Sequence, residues 1–310
     1  MNSIIRMPAL FGLAASLFAC TSTSSNVVVG QGLNGIDYAT AETKLEDAAG
    51  QQVTVQLVRY VSDNETGETS LERSEVTAFL SNLGIGEDGT SGTLTFNGEE
   101  LTFTNDMAVL GNGQTAYLSP SDVGKYVASF SVHSLILPDT PGPSINTEGR
   151  FVIGFETNPT ALTDTLHDSG SAEYVGRHFG YGAHLDGHGN LLYYDEVIEG
   201  SVTLNVSFVN NEVGGFISID DFFKTNGATN FGFAEGDLVG NSFEVGTSDT
   251  TACPNQSSCS TDIQLIGALY GPKAEEAGGV IFIDYSETDS TGESLQVIGT
   301  TAFVLPLTER

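Results

Sequence analysis

Gly267-Ala268-Leu269-Tyr270-Gly271-Pro272-Lys273-Ala274-Glu275-Glu276-Ala277-Gly278-Gly279 reads as the end of one strand, a turn and the start of the next. Upstream, Ile263, Leu265, Gly267 and Leu269 alternate with Gln264, Ile266, Ala268 and Tyr270, the two-residue period of a strand. Pro272 has no amide hydrogen to give a ladder, so the strand stops there. Its fixed φ suits the first position of a helical turn, predicted over Lys273–Ala277. Gly278 and Gly279 are expected to take positive φ and close that turn. Val280, Ile281, Phe282, Ile283 and Tyr285 then restart as a strand.

The same punctuation recurs on both sides of this stretch. Eight strands are predicted over about 172–184, 201–209, 214–220, 229–234, 240–247, 262–270, 279–286 and 295–305. The second alternates cleanly, Val202, Leu204, Val206 and Phe208 against Thr203, Asn205 and Ser207. Eight antiparallel strands can close into a barrel filled by its own side chains. Gly176, Gly180, Gly267 and Gly299 inside strands suit the bends such a barrel needs.

Closer to the N-terminus, Val53, Val55 and Leu57 mark a first strand. Leu94 to Phe103 reads as a hairpin about Asn97-Gly98, burying Leu94, Phe96, Leu101 and Phe103. Tyr126, Ala128, Phe130, Val132 and Ile136 are expected on one face of a later strand. Ala41–Ala49 is the one modest helix candidate. Pro138-Asp139-Thr140-Pro141-Gly142-Pro143 breaks the pattern, and the domain boundary is placed there. Phe151–Glu156 is expected as a lead-in strand to the barrel. The fold class is therefore all-β: a small antiparallel sheet over 46–145, then an eight-stranded antiparallel barrel over 146–310.

Residues 1–19 read as a signal peptide: one charge, Arg6, then an apolar run from Met7 too short to span a bilayer. It ends Leu17-Phe18-Ala19-Cys20, similar to a bacterial lipobox, which makes Cys20 the expected lipidation site. Residues 20–45 form a polar tether. Thr21, rather than an aspartate, after the cysteine resembles outer-membrane sorting. Removing residues 1–19 takes the formal net charge from −30 to −31. Such a surface repels nucleic acid and anionic lipid, and no basic patch is present. The remaining cysteines, Cys253 and Cys259, are expected to pair in an oxidising compartment, closing a short loop worth ~2 kcal/mol.

The opening stretch resembles the strand-and-turn signature of the bacterial transferrin-binding-protein-B barrel, roughly G-x-[FY]-Y-G-P-x-A-x-E-x-G-G. Tyr270, Gly271, Pro272, Ala274, Glu276, Gly278 and Gly279 match it, and Leu269 stands where an aromatic is more usual. Ala172-Glu173-Tyr174-Val175-Gly176 resembles that family's opening strand, and Gly200–Phe208 with Gly214-Gly215 resembles its following hairpin. The resemblance covers about 170–305. Factor-H-binding and haemoglobin-haptoglobin-binding lipoproteins share the plan of a handle sheet plus a barrel. It implies a non-catalytic, surface-exposed outer-membrane lipoprotein that binds a protein or nutrient-carrying ligand, with a TonB-dependent receptor as a possible partner and a Slam-type translocator for export.

Three further readings stay open. The loop 221–230 carries Phe222, Phe223 and Lys224, and the loop 248–261 carries Asn255 and Gln256. These five residues are the partner-binding candidates, on loops a rigid scaffold leaves free to vary. A structural, shielding envelope lipoprotein would need none of them. Direct metal or haem binding would use His178, His184 and His188, the weak metal candidates of the chain. No cofactor is implied. No nucleophile elbow, phosphate loop or convergent acid–base set appears, so an enzyme is not expected.

Overall fold

The computed structural model describes residues 38–309 apart from 41, 43–44, 49, 63–68, 87–88, 97–98, 110–114, 137–143, 163–169, 188–190, 221–228, 248–257, 289–291 and 293. A single 3-10 turn, Leu45–Ala48, stands where the modest helix was expected. Eight strands follow: β1 (Gln51–Ser62), β2 (Thr69–Gly86), β3 (Gly89–Phe96), β4 (Glu99–Phe103), β5 (Met107–Val109), β6 (Thr115–Val123), β7 (Val127–Ile136) and β8 (Ser144–Gly154). They form one antiparallel sheet in the order β4-β3-β2-β1-β8-β7-β6-β5. The Thr104↔Met107 bridge joins its two ends, so the sheet curls into a nearly closed barrel.

Its inner face is what the alternation foretold. Val53 and Val55 on β1, Leu94 on β3, Phe103 on β4, and Ala128 and Phe130 on β7 are all buried in one cluster. Leu94 pairs with Leu101 across the β3–β4 hairpin. Phe130 stacks on Phe151 with ring centroids 5.3 Å apart. Tyr126 departs from expectation. It lies before β7, away from this core, in a separate cluster with Val127, Ala268, Tyr270 and Val304.

The expected boundary at 145/146 gives way. β8 pairs with β7 on one side and β1 on the other, so residues 144–154 belong to the N-terminal sheet. The Pro138–Pro143 break lies outside the described residues, but the strands flanking it pair with each other. A Pro/Gly-rich break serves a strand connection as well as a domain linker, because both need only that pairing stop. Phe151–Glu156 is correspondingly not a lead-in to the barrel; most of it is the end of β8.

The second half is a closed barrel of β9 (Ser171–Asp186), β10 (Leu191–Ser207), β11 (Glu212–Ile219), β12 (Thr229–Val239), β13 (Ser242–Gly246), β14 (Ser258–Tyr270), β15 (Glu276–Thr288) and β16 (Ser294–Glu309). Each strand pairs with the next, and β16 returns to β9. Val202, Leu204, Ile217, Leu265, Leu269, Ile281 and Phe303 fill the interior.

In the opening stretch the strand stop is where Pro272 put it, but no helical turn follows. Residues 271–274 form a tight turn, with positive φ at Gly271 (87°) and Ala274 (52°). Gly278 and Gly279 do not close that turn. They sit inside β15, opposite Ala268 and Gly267. Their missing side chains serve packing rather than dihedral freedom. A Cβ on Gly278 would come 2.9 Å from Val127 Cγ2, and one on Gly279 would meet the Ile266 carbonyl oxygen.

Candidate functional site

A meander barrel collects alternate connections at each end. One end receives the β10–β11 turn, the β12–β13 turn and the 271–275 turn. The other receives 187–190, 220–228, 247–257 and 289–293. Topology thus gathers at one rim both loops singled out in the sequence and the histidine-bearing β9–β10 connection. Phe222, Phe223, Lys224, Cys253, Asn255, Gln256 and His188 themselves lie outside the described residues, as does Cys20.

What surrounds that rim is described. Phe231 and Tyr285 meet edge to face at 5.7 Å inside the barrel mouth. Tyr285 Oη donates to Glu287 Oε2 at 3.0 Å, and burial followed by that carboxylate pushes the phenol well up. Cys259, the second residue of β14, packs against the barrel core. On the outer wall Arg177 reaches Glu199 at 3.3 Å and Asp220 at 3.4 Å, an exposed trio worth little to stability.

The opposite end is where the two halves of the chain meet. Residues 155–162 run from the sheet across it. Gly271 N–H donates to the Phe155 carbonyl at 3.0 Å, and Thr157 N–H to that of Leu269 at 2.9 Å. Thr157 Oγ1 donates to the Gly271 carbonyl at 2.6 Å. Asn241 Nδ2 donates to Glu156 Oε2 at 2.9 Å and to the Thr157 carbonyl at 3.0 Å. Leu162 drops into the barrel core. Tyr174 Oη donates to the Ala274 carbonyl at 2.8 Å, pinning the 271–274 turn from within.

Glu276 completes this junction, and sequence reasoning missed its role. Its carboxylate accepts from the backbone N–H groups of Lys125 at 2.6 Å, Tyr126 at 2.8 Å and Val127 at 3.2 Å. Three successive amides converging on one anion form a nest. Gly124 admits it, since a Cβ there would lie 2.6 Å from Glu276 Oε2. The signal was the glutamate's place in the signature stretch; its backbone partners leave no mark of residue type.

His178 and His184 are not brought together. His178 and His184 both face the interior of β9, as their pairing with Phe303 and Val297 shows. Six residues of strand, about 20 Å, separate them, too far for one ion. Among the described residues no group of three His, Cys, Asp or Glu is arranged to hold a metal ion. His178 is buried and its Nε2 bonds to the Ser218 carbonyl at 3.0 Å. Burial pushes its imidazole down to about 4, only partly relieved by that bond.

Residues 166–301 match the family model described as the C-lobe and N-lobe beta barrels of Tf-binding protein B. No curated protein sequence matches the chain. Among solved structures, intact Ap-TbpB, with its N and C lobes, is 12% identical over 84% of this chain and 78% of that one, with a TM-score of 0.35. A transferrin-binding protein B mutant from Haemophilus parasuis Hp5 is 11% identical over 84% and 77%, at 0.36. The isotype 1 protein from serogroup B Neisseria meningitidis is 18% identical over 82% and 44%, at 0.35. Superpositions that loose do not carry a binding surface across.

Proposed function

The C-terminal half of this chain is a β barrel of the Tf-binding-protein-B type, and on that premise we propose that the protein is a non-catalytic lipoprotein of the outer membrane. A lipid on Cys20 anchors it at the cell surface, and it binds a protein or nutrient-carrying ligand. The binding surface is the loop-bearing rim, with Phe222, Phe223 and Lys224 on one loop and Asn255 and Gln256 on another. A Cys253–Cys259 disulfide pre-organises the second loop and lowers the entropy lost on binding. A TonB-dependent receptor would take the captured ligand onward, and a Slam-type translocator would deliver the lipoprotein to the surface. Transferrin is not carried over as the ligand, because the match lies in the barrel framework.

The observation supporting this reading is the asymmetry of the barrel ends. One end is occupied by residues 155–162 and the 271–274 turn. The other bears the two longest barrel connections, 220–228 and 247–257, on strands held by a filled core.

The test uses the mature protein, biotinylated, against serum and native growth medium, beside a variant with 221–228 and 248–257 replaced by Gly/Ser linkers of equal length. Selective retention of a protein by the wild type and its loss in the variant is expected. Equal retention by both overturns the rim assignment, and no retention from either medium overturns capture. Cys20→Ser is expected to move the protein from the membrane pellet to the soluble fraction. An unchanged pellet overturns the anchor.

A further inference from the structure

β9 and β11 are not neighbours; β10 runs between them. One side chain nevertheless joins them. At Gly200 on β10 the wall carries no side chain, and a Cβ there would meet the Ser218 carbonyl and come 2.9 Å from His178 Nε2. The His178 ring uses this gap, spanning from β9 to the Ser218 carbonyl near the end of β11. Donation from Nε2 fixes the neutral tautomer and leaves Nδ1 bare. Nδ1 has no hydrogen-bond partner among the described residues.

A proton on Nδ1 would therefore create a buried cation with a donor that nothing receives, a costly state in an apolar interior. Phe303 pairs with His178 on the β16 side, and Ile219 pairs with Gly200 on the β11 side. Beside this position in the register stand Arg177 on β9, Glu199 on β10 and Asp220 just past β11, the trio on the outer wall. Asp220 favours the imidazolium and Arg177 opposes it.

We propose that His178 is an acid-sensitive latch: a proton on Nδ1 makes a buried cation whose new N–H nothing in the closed wall receives, and this opens the β10–β11 end of the wall while the rest of the barrel stays closed. Linkage sets the size and sign. The open form binds the proton with an ordinary histidine affinity, and the closed form binds it only near pH 4. Opening is favoured as pH falls from about 6.5, and stability present above that value is lost on the way down to about 4.

Amide hydrogen exchange on the whole mature protein reads this directly. The reporter is Asp220 N–H, bonded to the Glu199 carbonyl at 2.8 Å; the control is Leu269 N–H, bonded to the Asn241 carbonyl at 2.8 Å at the far end. After correction for intrinsic exchange, the Asp220 opening equilibrium is expected to rise about 30-fold from pH 7.5 to pH 5, with Leu269 unchanged. His178→Gln, which keeps a donor but cannot titrate, should remove the dependence. Constant protection at Asp220, an equal rise at Leu269, or a His178→Gln variant as pH-dependent as the wild type each overturns the latch. The wild-type His178 ring must also stay neutral to about pH 4 by NMR; titration near 6.5 overturns it without any variant.

Discussion

Glu276→Ala is expected to cost the folded state about 3 kcal/mol. The carboxylate is nearly buried, at 8% exposure, and is the acceptor for three consecutive backbone amides of the N-terminal half. Charge-assisted bonds of this kind are about twice as strong as neutral ones. Truncation removes the acceptor but leaves the donors of residues 125–127 facing an apolar seam of Tyr126, Val127 and Tyr270. Stranded donors cost more than the bonds were worth. Glu276→Gln keeps the shape and one acceptor oxygen, so it should fall between alanine and wild type. Urea unfolding followed by circular dichroism measures both. The same traces report cooperativity: with the clamp gone, sheet and barrel should begin to unfold in separate steps. A Glu276→Ala midpoint within about 0.5 kcal/mol of wild type, with one transition, would mean that the apolar seam and the hydrogen bonds of residues 155–157 hold the halves together without it.

That clamp also shows where sequence reading stops. Strand positions and the inner faces of the barrel were legible, because alternation such as Val202, Leu204 and Val206 records burial directly. Pro272 was legible as a stop because its lost donor acts locally. The glycines after it were not. Gly278 and Gly279 answer to Val127 and Ile266, residues close only after the barrel and sheet form, so a local turn rule misassigned them. The domain boundary failed similarly: a proline-rich break cannot say whether the next strand returns to the old sheet or starts a new one, and β8 returned. His178 and His184 looked clustered because they are close in sequence. An extended strand spends that closeness as length. The rim is the opposite case. Its loops are scattered over about a hundred residues, and only the strand order reveals that they share one end.

Gly279→Ala is expected to destabilise the barrel by about 3 kcal/mol, while Gly278→Ala, one residue away, costs about 1 kcal/mol. Neither glycine has positive φ, so backbone strain is not the cause and the difference must come from what each Cβ meets. On the outer side of β15, a Gly278 Cβ faces Val127 Cγ2 at 2.9 Å and Tyr270 Cε2 at 3.2 Å, side chains that can rotate or shift slightly. On the inner side, a Gly279 Cβ runs into the carbonyl oxygen of Ile266, with Gly267 Cα at 2.9 Å and Phe303 Cζ at 2.7 Å. Backbone cannot step aside without breaking the β14–β15 ladder, which is continuous here from Ser258↔Thr288 to Tyr270↔Glu276. The close approach is the bend by which a flat ladder curves into a closed wall, a task glycine performs in strands. Thermal and urea midpoints for the two variants decide the matter. If Gly278→Ala proves the more damaging, the tight point of this hairpin is its seam with the N-terminal sheet. The expected order instead places it at barrel closure, with the outer glycine serving only to let the sheet approach.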